Sequence, residues 1–355
     1  NGTEPARQLT NGHTARLFDL AWSPDGDRIA FNDYLGRLSV VTVADGAEVL
    51  VADDIRGTIG DFEWSPHGGH LSFSLNNEAG MSRIHIWSVA DGTLRQVTSD
   101  HFDSYNPSWD PKGEYLFYIS ERSYAPQISN LEWNYAGNRR DGIFALALRK
   151  DVEPLFPPEN DEVTISEGND KADEKDADEN KGSKKKDKAA QDEKEEDDSN
   201  SKPIVIDFDG LSDRAMRVPV EADNYGGLAA VEGHLLYASA GPFFYGGGFG
   251  RERAIHLFSL EDRESSKLVG DAGGAALSAD GKKLLVRSGG GFKLYDVKKG
   301  AKGESVKTSG LEMDLDPVAE WGEIFDEAWR LFRDFFYVEN MHGYDWQALG
   351  ERYRA

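Results

Sequence analysis

The residues with chemistry to offer are three histidines, an arginine pair and a glycine-rich stretch set with aromatics. His67 and His70 (HGGH) have the close spacing of a metal-ligand pair. They flank a turn where neighbouring repeats carry Asp25, Asp27 and Lys112, so they read as turn substitutions and no metal is assigned. His342 precedes Gly343 in a turn, and no nucleophile in the sequence pairs with it. Gly246, Gly247, Gly248 and Gly250 lie in a β connection and not before a helix, which argues against a dinucleotide or phosphate site. Phe243, Phe244, Tyr245 and Phe249 in that connection either meet an apolar peptide or simply pack. Arg139 and Arg140 offer bidentate donors to a carboxylate, with ordinary surface arginines as the alternative. There is no G-x-S-x-G elbow and no Ser/His/Asp set, so no catalytic residue is assigned within the chain. No cofactor is expected.

These residues hang on a repeat. AWSPDGDRIAF (21–31), EWSPHGGHLSF (63–73) and SWDPKGEYLFY (108–118) are copies, with worn versions at 229–239 and 275–287. Trp22, Trp64 and Trp109 are 42 and 45 residues apart. That period, with four predicted strands per unit, is the spacing of a β-propeller blade. Leu17–Trp22, Arg28–Asn32, Leu38–Val43 and Ala47–Val51 are the strands of the first unit, separated by S-P-D-G and A-D-G turns. A four-stranded blade cannot bury both faces alone, so several must be arrayed radially. The expected fold is all-β, with five visible blades across 1–315 belonging to a seven-bladed propeller. Ala6–Thr10 resembles Leu94–Thr98 and is expected to be the last strand of a preceding blade. Pro203–Phe208 is expected to resume β structure, followed by a turn and a strand within 209–220.

Composition narrows the function classes. The 355 residues carry a net charge of −24 and no cysteine. A nucleic-acid partner is disfavoured because neutralising phosphates needs a basic surface. No apolar run reaches membrane-spanning length. Residues 159–202 hold seventeen Asp/Glu and nine Lys/Arg with almost no aromatics, and are expected to be disordered. The connection after Tyr118-Ile119-Ser120 is stretched. Such a loop belongs on one rim of the disc, where binding functions gather.

At Asp316-Pro317 the hydrophobic period changes from 2 to 3.6. Asp316 is expected to cap a helix with Pro317 at its first position. Trp321, Phe325, Ala328, Trp329, Phe332 and Phe336 share one face. Asp345 is expected to cap a second helix, so 316–355 opens a helical subdomain.

The join resembles a known family. E-A-W-R (327–330), R-D-F-F-Y (333–337) and M-H-G-Y-D-W (341–346), placed directly after propeller repeats, resemble the opening of the catalytic half of tricorn proteases. The resemblance implies a tricorn-like serine peptidase acting on oligopeptides, with this propeller gating or positioning substrate. It implies a homo-oligomer, typically a hexamer, in the cytoplasm, or in the periplasm if a signal peptide lies upstream. It also implies that the catalytic His and Ser lie beyond residue 355, and that His342 belongs to a turn motif. The rival is a non-enzymatic TolB-type propeller scaffold, which has no reason to carry the helix pair. A prolyl-oligopeptidase relative would need an α/β-hydrolase sheet after the propeller.

Overall fold

Residues 115–120 (YLFYIS) are buried at every position, with no polar alternation. Tyr115, Phe117 and Ile119 point into one hydrophobic cluster, and Leu116 and Tyr118 into another. A strand covered on both faces reads as a continuous apolar run, and here sheets stacked face to face provide the cover.

The computed structural model describes residues 6–13, 15–54, 56–57, 59–123, 139–157, 203–241, 253–310, 312–338 and 340–354, with the backbone of four two-residue strands elsewhere. The expectation for 159–202 lies outside the described residues. Five four-stranded antiparallel sheets follow in chain order. The first holds β1 (Leu17–Trp22), β2 (Arg28–Asp33), β3 (Arg37–Thr42) and β4 (Glu48–Asp53). The second holds β5 (Glu63–Trp64), β6 (His70–Asn76), β7 (Ser82–Ser88) and β8 (Leu94–Gln96). The third has β9 (Ser104–Trp109) and β10 (Tyr115–Ser120), then the small hairpin β11 (Gln127–Ile128) and β12 (Tyr135–Ala136), then β13 (Gly142–Ala147) and β14 (Ala215–Arg217). The fourth has β15 (Asn224–Val231) and β16 (His234–Ala240), the hairpin β17 (Phe243–Phe244) and β18 (Gly247–Gly248), then β19 (Ala254–Ser259) and β20 (Glu264–Gly270). The fifth is β21 (Gly274–Leu277), β22 (Lys283–Ser288), β23 (Gly291–Asp296) and β24 (Glu304–Val306). This is a five-bladed propeller arc among the described residues.

Local chemistry explains each turn. In the first blade Ser23 Oγ donates to Asp25 at 2.5 Å, the Asp27 amide donates to the same carboxylate at 3.0 Å, and Gly26 has φ +76°. The fifth blade repeats this with Ser278, Asp280 and Gly281. Asp45 and Asp91 cap the outer hairpins by accepting from the amides two residues on.

The core lies between blades. Trp64, Phe73 and Trp87 of blade two meet Leu38 and Val40 of blade one. The repeat tryptophans are wedges: Trp64 Nε1 donates to the Ala21 carbonyl at 3.1 Å, and Trp109 Nε1 to the Glu63 carbonyl at 3.2 Å. Trp22 has no earlier blade to enter among the described residues and is 55% exposed, against 2% for Trp109.

Two expectations are corrected. Ala6–Thr10 is not a strand; it lies beside blade one, where the Arg7 guanidinium donates to the carbonyls of Val43 and Ala44. Pro203–Phe208 is not a strand either. Ile204, Ile206 and Phe208 pack on the cluster between blades two and three without joining a ladder. The apolar alternation was real, but burial alone satisfied it.

The helices form as the sequence dictates. Asp316 accepts from the amides of Val318 and Ala319, and α1 (Pro317–Phe335) follows. Asp345 accepts from Ala348 N at 2.9 Å at the start of α2 (Trp346–Arg354). The two helices meet through Trp329 and Trp346, stacked with centroids 4.0 Å apart. Helix α1 reaches blade one through an Arg16–Glu327 ion pair and a Tyr34–Phe335 ring contact at 4.5 Å.

Candidate functional site

The first strands of consecutive blades contact one another, so β1, β5, β9 and β15 form the inner wall of the arc. Short polar side chains stitch that wall. Asp61 accepts from the Asn106 amide at 2.7 Å, Asn106 Oδ1 from the Leu228 amide at 2.9 Å, and Ser108 Oγ from the Ala230 amide at 3.0 Å. Each gives an inner-strand amide its missing partner from the preceding blade.

The rim where blades three and four meet gathers Tyr105, Glu121, Arg139, Arg140, Asp141 and Asp223. It is the end at which β9, β13 and β15 begin and β10 ends. Asp141 and Asp223 exchange backbone hydrogen bonds at 3.1 and 3.2 Å. The Asp141 carboxylate accepts from the Tyr225 amide at 2.8 Å. Burial raises the Asp141 pKa; burial, with the charge of Asp141 second, raises that of the Tyr105 phenol strongly. Glu121 is likewise raised by burial, against the opposing pull of Arg140.

Arg139 and Arg140 sit on this rim. The Arg139 amide donates to Asn224 Oδ1 at 2.6 Å, and its guanidinium lies 3.7 Å from Asp223. Arg140 pairs with Glu121 at 2.7 Å and its side chain is 50% exposed. Both arginines therefore stand beside a carboxylate of the same rim, and an incoming anion would compete with it. The aromatic side chains at 243–245 and 249 lie outside the described residues.

The histidines follow the turn reading. His70 is half-buried beside Trp109, and burial pushes its pKa down. With His67 it lines a hollow of about 550 Å³. Among the described residues no three His, Asp or Glu side chains come together as a metal site. His342 has φ +55° and meets the Tyr337 hydroxyl at 2.6 Å, which makes it part of the helix-to-helix turn.

Sequence reasoning missed one contact with the look of chemistry. Ser239 Oγ lies 2.9 Å from His256 Nε2, and the His256 ring stacks on Tyr237 at 5.3 Å. The pair arises from cross-strand neighbours on β16 and β19, a register not readable before pairing is known. Ser239 is only 1% exposed, so a substrate carbonyl cannot reach its oxygen. The contact satisfies a buried hydroxyl rather than arming a nucleophile.

Comparison with known proteins fits this geometry. The model of the tricorn protease second β-propeller domain matches residues 1–298, and that of the tricorn protease C1 domain matches 317–355. Tricorn protease homolog 1 of Streptomyces coelicolor is 26% identical over 98% of this chain and 32% of its own length. The crystal structure of the tricorn protease shares the fold with a TM-score of 0.74 at 18% identity, over 95% of this chain and 31% of that one. The chain thus spans about a third of the length of these relatives. A TolB homolog of Chlorobium luteolum is 35% identical, but over 35% of this chain and 28% of its own length. No helix among the described residues is long and apolar enough to cross a membrane. With a propeller model and the C1 model matched in succession, the chain belongs to the tricorn protease family.

Proposed function

We propose that this chain is the substrate-handling part of a tricorn-like serine peptidase. The observation that carries the reading is the direct succession of the second-propeller and C1 matches on one chain. The propeller admits or positions oligopeptides along inner strands stitched by the short polar side chains Asp61, Asn106 and Ser108. The nucleophile and base belong to the part of the relatives that this chain does not cover, and the working assembly is a homo-oligomer. Arg139 and Arg140 are the rim groups for a peptide carboxylate, competing with Asp223 and Glu121 for it.

The test is hydrolysis of fluorogenic oligopeptides by the parent protein and by the 355-residue chain alone. The parent should cleave and lose activity to a serine-directed fluorophosphonate, while the chain alone should be inert. A parent without peptidase activity would leave a TolB-type scaffold as the better reading. Cleavage by the isolated chain would overturn the placement of the catalytic groups.

A further inference from the structure

The boundary between blades four and five differs from the other three. Between blades one and two the core holds Trp64 and Phe73; between two and three, Trp109 and Tyr118; between three and four, Phe117 and Phe258. The boundary of blades four and five has only aliphatic residues fully buried, such as Leu236, Ile255 and Val286. The repeat position that carries tryptophan in the first three blades is Val231 in blade four and Leu277 in blade five, and Leu277 is the one beside this boundary's cavity. The wedge is missing and the walls behind it are small.

The result is a cavity of about 280 Å³ lined by Gly227, Ala229, Ala238, Ala254 and Gly274, with Leu277 at its side. A Cβ placed on Gly274 would meet nothing within 4 Å, so the space beside it is open. An apolar cavity of about 150 Å³ already holds a benzene; this one has room for a branched aliphatic side chain and the backbone that bears it. One charged residue among those described lines it. Arg253 is exposed, and makes no ion pair with any described residue, unlike Arg139 and Arg140 on the neighbouring boundary. The cavity runs along β15, β19 and β21, with Arg253 at the end where these strands begin, the same end of the disc as Asp141 and Asn224.

We propose that this cavity binds the C-terminal residue of an oligopeptide ending in a branched aliphatic amino acid, with the side chain in the cavity and the free carboxylate on Arg253. Charge complementarity selects the occupant: the Arg253 guanidinium at the edge of an apolar pocket pairs with a carboxylate borne next to an apolar group, against the general negative charge of the chain. The proposal rests on the reading that the chain handles oligopeptides.

The experiment is calorimetric titration of the whole 355-residue chain with Ala-Ala-Leu, its C-terminal amide, and Ala-Ala-Asp. Ala-Ala-Leu should bind, with the amide and Ala-Ala-Asp at least tenfold weaker. Arg253→Gln, at an exposed position, should bring Ala-Ala-Leu down to the level of its amide. Ala229→Leu should fill the cavity and abolish binding; its melting curve reports whether the fold survives, and Arg253→Gln decides if it does not. Binding of Ala-Ala-Leu unchanged by Arg253→Gln would overturn this site while leaving peptide handling in place. Absence of binding by all three peptides would overturn the site too, and hydrolysis by the parent then decides the peptidase reading separately.

Discussion

The Trp109 indole donates to the Glu63 carbonyl at 3.2 Å, while the Glu63 carboxylate accepts from the Trp109 amide at 3.4 Å and from the Ser108 hydroxyl at 3.3 Å. Two residues thus lock successive inner strands from both directions. The cost falls on the carboxylate: burial pushes its pKa from 4.5 up to about 7, more than the two hydrogen bonds pull it down.

That shift sets a pH dependence. Between about pH 4.5 and 7 the folded chain holds a proton on Glu63 that the unfolded chain releases. This contribution to stability is full below pH 4.5 and is lost as pH rises through 7, at most about 3 kcal/mol. Glu63→Gln should flatten this part of the profile and raise the denaturant midpoint more at pH 8 than at pH 5. Chemical denaturation at both pH values checks it. An equal change at both would show that the carboxylate is already ionised when folded.

The tryptophan wedges should differ in worth according to what they enter. Trp109→Ala removes a side chain that is 2% exposed and empties the boundary of blades two and three, for a loss of about 3–5 kcal/mol. Trp22→Ala removes one that is 55% exposed and should cost about 0.5 kcal/mol or less. Urea melts of the two variants decide it; equal losses would contradict the boundary accounting.

Arg83 is fully buried, and its guanidinium donates to the carbonyls of Ser82, Asp100 and Phe102 as well as to the Asp100 carboxylate. It clamps the passage from blade two to blade three. Arg83→Met keeps much of the volume but strips donors from three carbonyls, and should cost about 3 kcal/mol or more. Asp100→Asn should cost far less, because that carboxylate is largely exposed and the backbone bonds remain. Thermal melts of both variants test the asymmetry.

The helix pair depends on a glycine. Trp329 and Trp346 exchange hydrogen bonds, each indole donating to the other's carbonyl at 3.1 and 3.3 Å. A Cβ on Gly350 would lie 2.6 Å from Trp329 Nε1. Gly350→Ala should open the indole stack and cost about 1–3 kcal/mol despite its better helix propensity. Loss of the tryptophan near-ultraviolet circular dichroism would report the opening; an unchanged spectrum would show that the helices can shift to admit the methyl group.

Much of this molecule was written locally. Ser23-Pro24-Asp25-Gly26 and its later copies determined the turns, because a short carboxylate and a glycine at positive φ act within four residues. Asp316-Pro317 determined where the helix begins for the same reason. The spacing of Trp22, Trp64 and Trp109 determined the blade, and the helices after it the family. The tertiary structure alone decided what those residues meet. Tyr225 finds Asp141 across 84 positions, Arg140 stands against Glu121, and Leu277 leaves a cavity where a tryptophan would sit. Period and turn chemistry are set by neighbours in the chain, whereas pairing, burial and empty space are set by which blade faces come together.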